Sequence, residues 1–200
     1  MSRFLSCVII ELMRHRVFIA INLPEEIKQK LHSFQEKWPD LPTRWTKKEN
    51  LHITLVFLGH LSDEEVFEIC KITKEVASKN QSFSLNLTKI CYGPPKKPPR
   101  MVWVEGEKSK ELTKLKNDLE NALSASNGPK YRKETRPFSP HLTLGRIRQW
   151  EFKAIEPEER PKVEEDISFT FGVSSIEVME SFLKRGGPEY IILESAPLAK

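Results

Sequence analysis

Two segments of the chain repeat a short pattern of histidine, an apolar residue, threonine and leucine. The first segment is His-Ile-Thr-Leu at residues 52–55, and the second is His-Leu-Thr-Leu at residues 141–144. In a β-strand, successive side chains point to opposite faces of the sheet. Each segment therefore places its histidine and threonine on one polar face, while its two apolar residues face a core.

Two imidazoles and two hydroxyls that converge on one space are suited to binding a phosphate. Imidazole has an ordinary pKa of about 6.5, so near neutral pH one histidine can accept a proton while the other donates one. Threonine hydroxyls can donate hydrogen bonds to phosphoryl oxygens, and the guanidinium of Arg146 can offset the phosphate charge. The pattern predicts phosphodiester hydrolysis or the opening of a cyclic phosphate, without a metal or other cofactor. The candidate catalytic residues are His52, Thr54, His141 and Thr143.

A structural role and a metal site are the alternatives for the repeated motif. A single His-x-Thr pair on a strand is more often structural than functional, but a second copy in the same apolar frame favours a function. A metal site is disfavoured because threonine is a poor ligand for transition metals and no HExxH or carboxylate triad is present. The three cysteines, Cys7, Cys70 and Cys91, form no CxxC pair, which favours a reducing cytoplasmic location.

The remaining pattern predicts the elements that position the two motifs. Each half of the chain holds a strand, a helix and then a His-x-Thr strand, which indicates a weak internal duplication. The predicted strands cover 16–23, the two motifs, 82–90, 101–106, 172–183 and 189–195. The predicted helices follow Pro24, follow a capping box at 62–65 and cover 109–125, and a charged linker covers 151–166. We therefore expect an α+β fold in which helices cover antiparallel sheets and a pseudo-twofold axis brings the motifs together.

Composition sets further limits on the class of protein. The 200 residues carry a net charge of +4, and 30% of them are charged with mixed signs, which argues against wholesale disorder. The apolar run within residues 4–13 is too short to span a bilayer and contains Glu11, so we expect no membrane partner. Because strand-like sequence begins just after Met13, we expect residues 1–12 to be an N-terminal extension and residues 13–200 to form one domain.

Several residues outside the motifs are candidates for binding an anionic partner such as a nucleic acid, which the net charge of +4 favours weakly. Phe18, in the first strand, is placed to stack on a base, although a core phenylalanine is the alternative. Lys97 and Arg100 lie in a proline-rich basic loop, and Arg136 precedes the second motif. These cations are candidates for holding a phosphate backbone, with a simply solvated loop as the alternative.

At these motifs the sequence resembles the 2H phosphoesterase superfamily, and within it the RNA 2′,3′-cyclic phosphodiesterases, also called 2′-5′ RNA ligases. The resemblance runs from about residue 14 to residue 198. It is carried by four segments, RVFIAINLPEEIKQKL, RWTKKENLHITLVFLG, RPFSPHLTLGRI and ESFLKRGGPEYIILESAPL.

The resemblance implies a bilobal fold with a central cleft and one motif in each lobe. It implies hydrolysis of a terminal 2′,3′-cyclic phosphate on RNA to a 2′-phosphate, with 2′-5′ ligation as the reverse reaction. By motif position, His52 is the proton donor to the leaving 3′ oxygen and His141 is the base that activates water. Thr54 and Thr143 hold the phosphate, and Arg146 matches the arginine that follows the second motif of the family. We expect a monomer that acts on RNA ends, tRNA fragments among them.

Two other functions remain open at the level of sequence. One is a non-catalytic module that binds RNA ends, although binding alone would not require two acid-base groups. The other is a 2H phosphodiesterase that acts on a small cyclic nucleotide, against which the basic loops argue weakly.

Overall fold

Both motifs lie on strands of an antiparallel sheet. A computed structural model of the chain describes residues 14–95, 98–126, 131, 133 and 138–200. The predicted extension over 1–12 and the candidates Lys97 and Arg136 lie outside the described residues. The strands are β1 (His15–Asn22), β2 (Thr43–Trp45), β3 (His52–Leu61), β4 (Phe83–Gly93), β5 (Met101–Gly106), β6 (His141–Ile147), β7 (Glu164–Val173), β8 (Ser175–Lys184) and β9 (Gly187–Pro197). The helices are α1 (Glu25–Ser33), α2 (Asp63–Ala77), α3 (Lys110–Ala125) and α4 (Gln149–Ala154).

One continuous, curled sheet carries both motifs at its centre. Its strand order is β7-β4-β5-β6-β3-β1-β8-β9, and β2 pairs separately with β6. The two halves meet where β3 and β6 pair antiparallel, with Ile53 opposite Leu142. The two halves have the same arrangement on either side of this junction. The strand beside each motif strand, β5 beside β6 and β1 beside β3, also precedes it in the chain and is connected to it through a helix. The predicted α+β class and pseudo-twofold arrangement are confirmed, and the sheets of the two lobes join into one.

The helices cover the sheet with the apolar stripes that the sequence predicts. In α3 the four leucines at helical spacing are almost completely buried, namely Leu112, Leu115, Leu119 and Leu123. Helix α2 packs on β8, β9 and α3, and it begins with the predicted capping box between Ser62 and Glu65. Among the described residues, no helix is long and apolar enough to cross a membrane.

The prediction of a charged linker over 151–166 is wrong at both ends. Residues 149–154 form α4, and β7 already begins at Glu164. The predicted strand over 172–183 is divided, since β7 ends at Val173 and β8 begins at Ser175. Strand β7 is an edge strand in which Ile167, Phe169, Phe171 and Val173 alternate with exposed residues, so the sequence does carry a strand signal that the linker prediction overlooked.

Candidate active site

The junction between β3 and β6 brings the two motifs together. The apolar residues of both motifs, Ile53, Leu55, Leu142 and Leu144, are buried in the main core. Both motif histidines and threonines are only partly buried and lie on the other face of the sheet. In the antiparallel register, His52 lies towards Thr143 and Thr54 towards His141. The predicted alternation is therefore observed, and the polar faces of the two strands meet.

Each motif histidine is oriented by the backbone two residues before it. Nδ1 of His52 lies 2.8 Å from the carbonyl oxygen of Asn50, and Nδ1 of His141 lies 2.8 Å from that of Ser139. Because a carbonyl only accepts, Nδ1–H donates in both rings and Nε2 remains for proton transfer. Nε2 of His52 accepts a hydrogen bond from the Thr54 hydroxyl at 3.1 Å. The two motifs thus present equivalent nitrogen atoms.

An aromatic ring from the neighbouring strand supports each histidine. Trp103 on β5 stacks on His141 with ring centroids 3.9 Å apart and an angle of 27°. Phe18 on β1 contacts His52 with centroids 4.9 Å apart. Phe18 is only 3% exposed, so the ring has no face open to an RNA base. This burial favours the alternative, a core phenylalanine, over base stacking on Phe18.

The two histidines differ in their electrostatic surroundings. Burial, together with the smaller effect of the positive charge of Lys28, lowers the pKa of His52 to about 4, although the hydrogen bond to Asn50 opposes the shift. Lys28 is itself buried, and its Nζ donates to the carbonyl oxygen of Glu49 at 3.1 Å. In the free protein His52 is therefore neutral at pH 7.

We expect His52 to titrate near pH 4 in the free protein. An NMR titration of the imidazole Cε1–H signal, assigned by comparison with His52→Gln, measures this pKa directly. Because the folded pKa lies below the unfolded value of about 6.5, only the unfolded chain binds this proton between those two pH values. The contribution of His52 to stability should therefore fall as the pH falls from 6.5 towards 4. A folded pKa near 6.5 would contradict the enclosure of this ring.

Arg146 lies on the same face as the histidine and threonine of the second motif. Simple alternation along β6 would turn Arg146 to the face of the sheet opposite to that of Thr143. The pairing of β5 with β6 is irregular between Val102 and Trp103, and this irregularity brings Arg146 to the face of Thr143. Thr143 Oγ1 lies 3.9 Å from Met101 Sδ, and an Arg146 guanidinium nitrogen lies 4.0 Å from the same sulfur. The arginine side chain is exposed. Its charge is therefore available beside the motif threonine.

The predicted RNA-binding cation that the structure describes is Arg100. Its side chain is exposed, and it lies one residue before Met101 at the start of β5. Its backbone carbonyl accepts from the amide of Ile147 at 3.0 Å, at the end of the second motif strand. Arg100 therefore borders the same end of β6 as Arg146.

Sequence reasoning missed three aromatic residues of the site, namely Trp103 beside His141, Phe57 and Tyr190. Phe57 on β3 is 70% exposed, and its ring centroid lies 6.0 Å from that of Phe18. Alternation from Thr54 would turn Phe57 to the other face, but irregularities in the pairing of β1 with β3 bring it opposite Phe18. Tyr190 on β9 contacts His52 edge to face, with centroids 5.0 Å apart. No local pattern in the sequence connects Tyr190 with a motif so far away along the chain.

Metal ligands are not grouped in the part of the chain that the structure describes. No set of three or more His, Cys, Asp and Glu side chains there is arranged to hold a metal ion. In the motifs, Nδ1 of each histidine already donates to a carbonyl, which leaves one nitrogen per ring for any ligand.

The curled antiparallel sheet and its paired His-x-Thr strands define a two-histidine phosphoesterase. The sequence profile of the family described as LigT like phosphoesterase matches the chain twice, over residues 21–103 and 104–190. The chain belongs to this family. Each match contains one of the two motifs, in agreement with the predicted duplication.

Similar proteins support the same assignment. The chain is 31% identical over 183 residues to a protein of Thermotoga maritima named RNA 2′,3′-cyclic phosphodiesterase, covering 89% of this chain and 92% of the relative. The crystal structure of TT0787 of Thermus thermophilus matches with a TM-score of 0.78 and 27% identity, covering 92% of this chain and 97% of that one. E. coli LigT complexed with 3′-AMP matches with a TM-score of 0.74 and 27% identity, covering 94% and 99%.

Proposed function

We propose that the protein hydrolyses the terminal 2′,3′-cyclic phosphate of RNA to a 2′-phosphate. The observation that carries this proposal is the meeting of two His-x-Thr pairs at the junction of Ile53 and Leu142. Each histidine has Nδ1 occupied by a carbonyl, which leaves Nε2 for acid-base work. The name of the Thermotoga maritima relative supports RNA as the substrate.

The reaction needs one base and one acid on opposite sides of the phosphorus atom. In the proposed mechanism Nε2 of His141 takes a proton from water, and the water oxygen forms a bond to phosphorus. The bond from phosphorus to the 3′ oxygen breaks, and that oxygen receives a proton from His52. Thr54 and Thr143 donate hydrogen bonds to the non-bridging oxygens, and Arg146 offsets their charge. No metal takes part in these steps.

His52 has to gain a proton before it can act as the donor, because its pKa in the free protein is about 4. A cyclic phosphate carries a negative charge, and an opposite charge beside an imidazolium raises its pKa. We propose that the substrate itself charges His52 in this way. The pH dependence of kcat/KM reports the free enzyme and that of kcat reports the complex. The limb that belongs to His52 should therefore lie at higher pH in kcat than in kcat/KM.

We propose that Phe57, rather than Phe18, stacks on a base next to the cyclic phosphate. Stacking on an aromatic side chain contributes about 1–3 kcal/mol per base, so Phe57→Ala should raise KM for an RNA substrate by about tenfold. Phe67→Ala is the matched control, since Phe67 is 75% exposed on α2, away from the motif strands. Steady-state kinetics check both variants. Equal KM values for Phe57→Ala and the unchanged protein would contradict stacking at this position.

The rest of the proposal concerns the contacts with RNA, the oligomeric state, the cellular location and the reverse reaction. Arg100, with Lys97 and Arg136, would contact the RNA backbone beyond the cyclic end. We propose that residues 13–200 act as one catalytic unit in a monomer, since the sheet is continuous across both motifs. We also propose a cytoplasmic location, where the free thiols of Cys70 and Cys91 stay reduced. Ligation through a 2′-5′ bond is the reverse of the same steps, and excess water favours hydrolysis.

Substrate class is tested by comparing two cyclic phosphates in EDTA. One is a short RNA that ends in a 2′,3′-cyclic phosphate, and the other is a mononucleoside 2′,3′-cyclic phosphate. We expect full activity in EDTA and a higher kcat/KM for the RNA. A strict metal requirement would contradict the two-histidine mechanism. Binding of RNA without turnover would favour the binding module, and a preference for the mononucleotide would favour a small-molecule phosphodiesterase.

A further inference from the structure

The two motif histidines are equivalent by pseudo-symmetry but differ in how they are enclosed. Among the described residues, a single ring contacts His141, that of Trp103. His52 contacts two rings, since Phe18 lies 4.9 Å away and the edge of Tyr190 lies 5.0 Å away at an angle of 88°. Tyr190 also contacts Phe18, with centroids 5.1 Å apart. The three side chains therefore form a closed triangle that has no counterpart among the described residues around His141.

Tyr190 reaches His52 because the hairpin of β8 and β9 extends beyond the rest of the sheet. Strand β8 pairs with β1 over Glu177–Glu180, so within the described part of the chain the hairpin tip, residues 181–190, is paired only with itself. The Asn50 side-chain amide donates to the carbonyl oxygen of Pro188 at 2.7 Å, which holds the tip against the segment before β3. The backbone carbonyl of this same Asn50 accepts from His52 Nδ1. One buried residue thus orients His52 and fastens the hairpin that covers it.

We propose that Tyr190 is a positioning residue that makes the two pseudo-equivalent histidines different. Held by the contact between Asn50 and Pro188, its ring excludes water from His52 and leaves His141 open. The inference rests on the proposed function, because the difference matters only where one histidine is the acid and the other the base. It adds to that function the element that sets the protonation of His52 apart from that of His141, namely the tip of a hairpin far from both motifs in sequence.

The charged groups around His52 show that the effect of Tyr190 on His52 is not an effect of charge. From α1, the Lys28 charge opposes protonation of His52. From β6 and β1, Arg146 and Arg16 face the Tyr190 hydroxyl and lower its pKa against the larger effect of burial, which raises it. Within the tip, Glu189 is paired with Lys184 at 2.5 Å. Tyr190 is neutral at pH 7, so it acts on His52 by excluding water and not by its own charge.

The test is an NMR titration of His52 in the unchanged protein and in Tyr190→Phe, Tyr190→Ala and Asn50→Ala. Tyr190→Phe keeps the ring, so the pKa of His52 should stay near 4. Tyr190→Ala admits water and should raise that pKa by at least about one unit, a tenfold change in proton affinity. Asn50→Ala keeps the backbone carbonyl but releases the tip, and it should raise the pKa in the same direction. The pH dependence of kcat/KM should shift with the pKa in each variant.

Leu183→Ala is the control, since Leu183 lies on the same tip and is 76% exposed. It should leave the titration of His52 unchanged. An unchanged His52 pKa in Tyr190→Ala overturns the inference, and if that variant does not fold, an unchanged pKa in Asn50→Ala overturns it. The titration needs no turnover. Lack of cyclic phosphate hydrolysis by the unchanged protein would therefore defeat the proposed function while the shift in His52 pKa is still measured.

Discussion

Replacement of His52 or His141 by alanine should lower kcat for RNA cyclic phosphate by about 100- to 10,000-fold, since a positioned acid or base contributes a factor of that size. His52→Ala removes the proposed donor, so the 3′ oxygen must leave as an alkoxide. His141→Ala removes the base, so water must attack without activation. Single-turnover kinetics at saturating RNA measure the chemical step in both variants.

Controls separate this loss from misfolding and from weaker binding. His32→Ala replaces an exposed histidine on α1 and should keep full activity. Circular dichroism and thermal unfolding should show that each motif variant is folded, since both histidines lie on the face of the sheet away from the main core. The double variant should be little slower than the single ones, because residues that act as one unit are strongly non-additive. Near-full activity in either single variant would refute the two-histidine mechanism.

Replacement of Gly93 by alanine should damage both stability and turnover through Trp103. A Cβ at position 93 would overlap the Trp103 indole, which packs directly on the bare glycine. The ring that would have to move is the one stacked on His141. Forcing extra atoms into a packed site costs about 1–3 kcal/mol, so we expect a lower Tm. A displaced Trp103 would also misplace the proposed base and lower kcat.

Gly172→Ala is the matched control for this substitution. Gly172 also lies in a strand, β7, and a Cβ there would meet no atom within 4 Å. Thermal unfolding and kinetics of the two variants should therefore differ clearly, with Gly172→Ala close to the unchanged protein. Equal effects at the two positions would show that the contact of Gly93 with Trp103 does not support His141.

The sequence predicted the centre of the site well because its signals are local. Alternation along residues 52–55 and 141–144 assigned the polar and apolar faces, and the structure places them accordingly. The capping box at Ser62 and the leucine stripe of α3 depend on neighbours within one or two helical turns. Such patterns are set by backbone geometry, which is why they can be predicted without knowledge of the fold.

The features that sequence reasoning missed depend on the pairing of distant strands. Irregular pairing of β1 with β3 brings Phe57 onto the face of Phe18, against simple alternation. Met179 on β8 and Tyr190 on β9 bury Phe18, and the hairpin of these two strands brings Tyr190 onto His52. These features depend on the register and packing of strands that are distant in the chain, which a single sequence does not encode locally.

Identification of the product end tests the two-histidine mechanism most directly. Purified protein is incubated in EDTA with a short RNA that ends in a 2′,3′-cyclic phosphate, alongside the His52→Ala and His141→Ala variants. We predict complete conversion to a 2′-phosphate by the unchanged protein and none by the variants within the same time. A 3′-phosphate product would contradict the assignment of the 3′ oxygen as the leaving group, and RNA that is bound but not converted would contradict catalysis altogether.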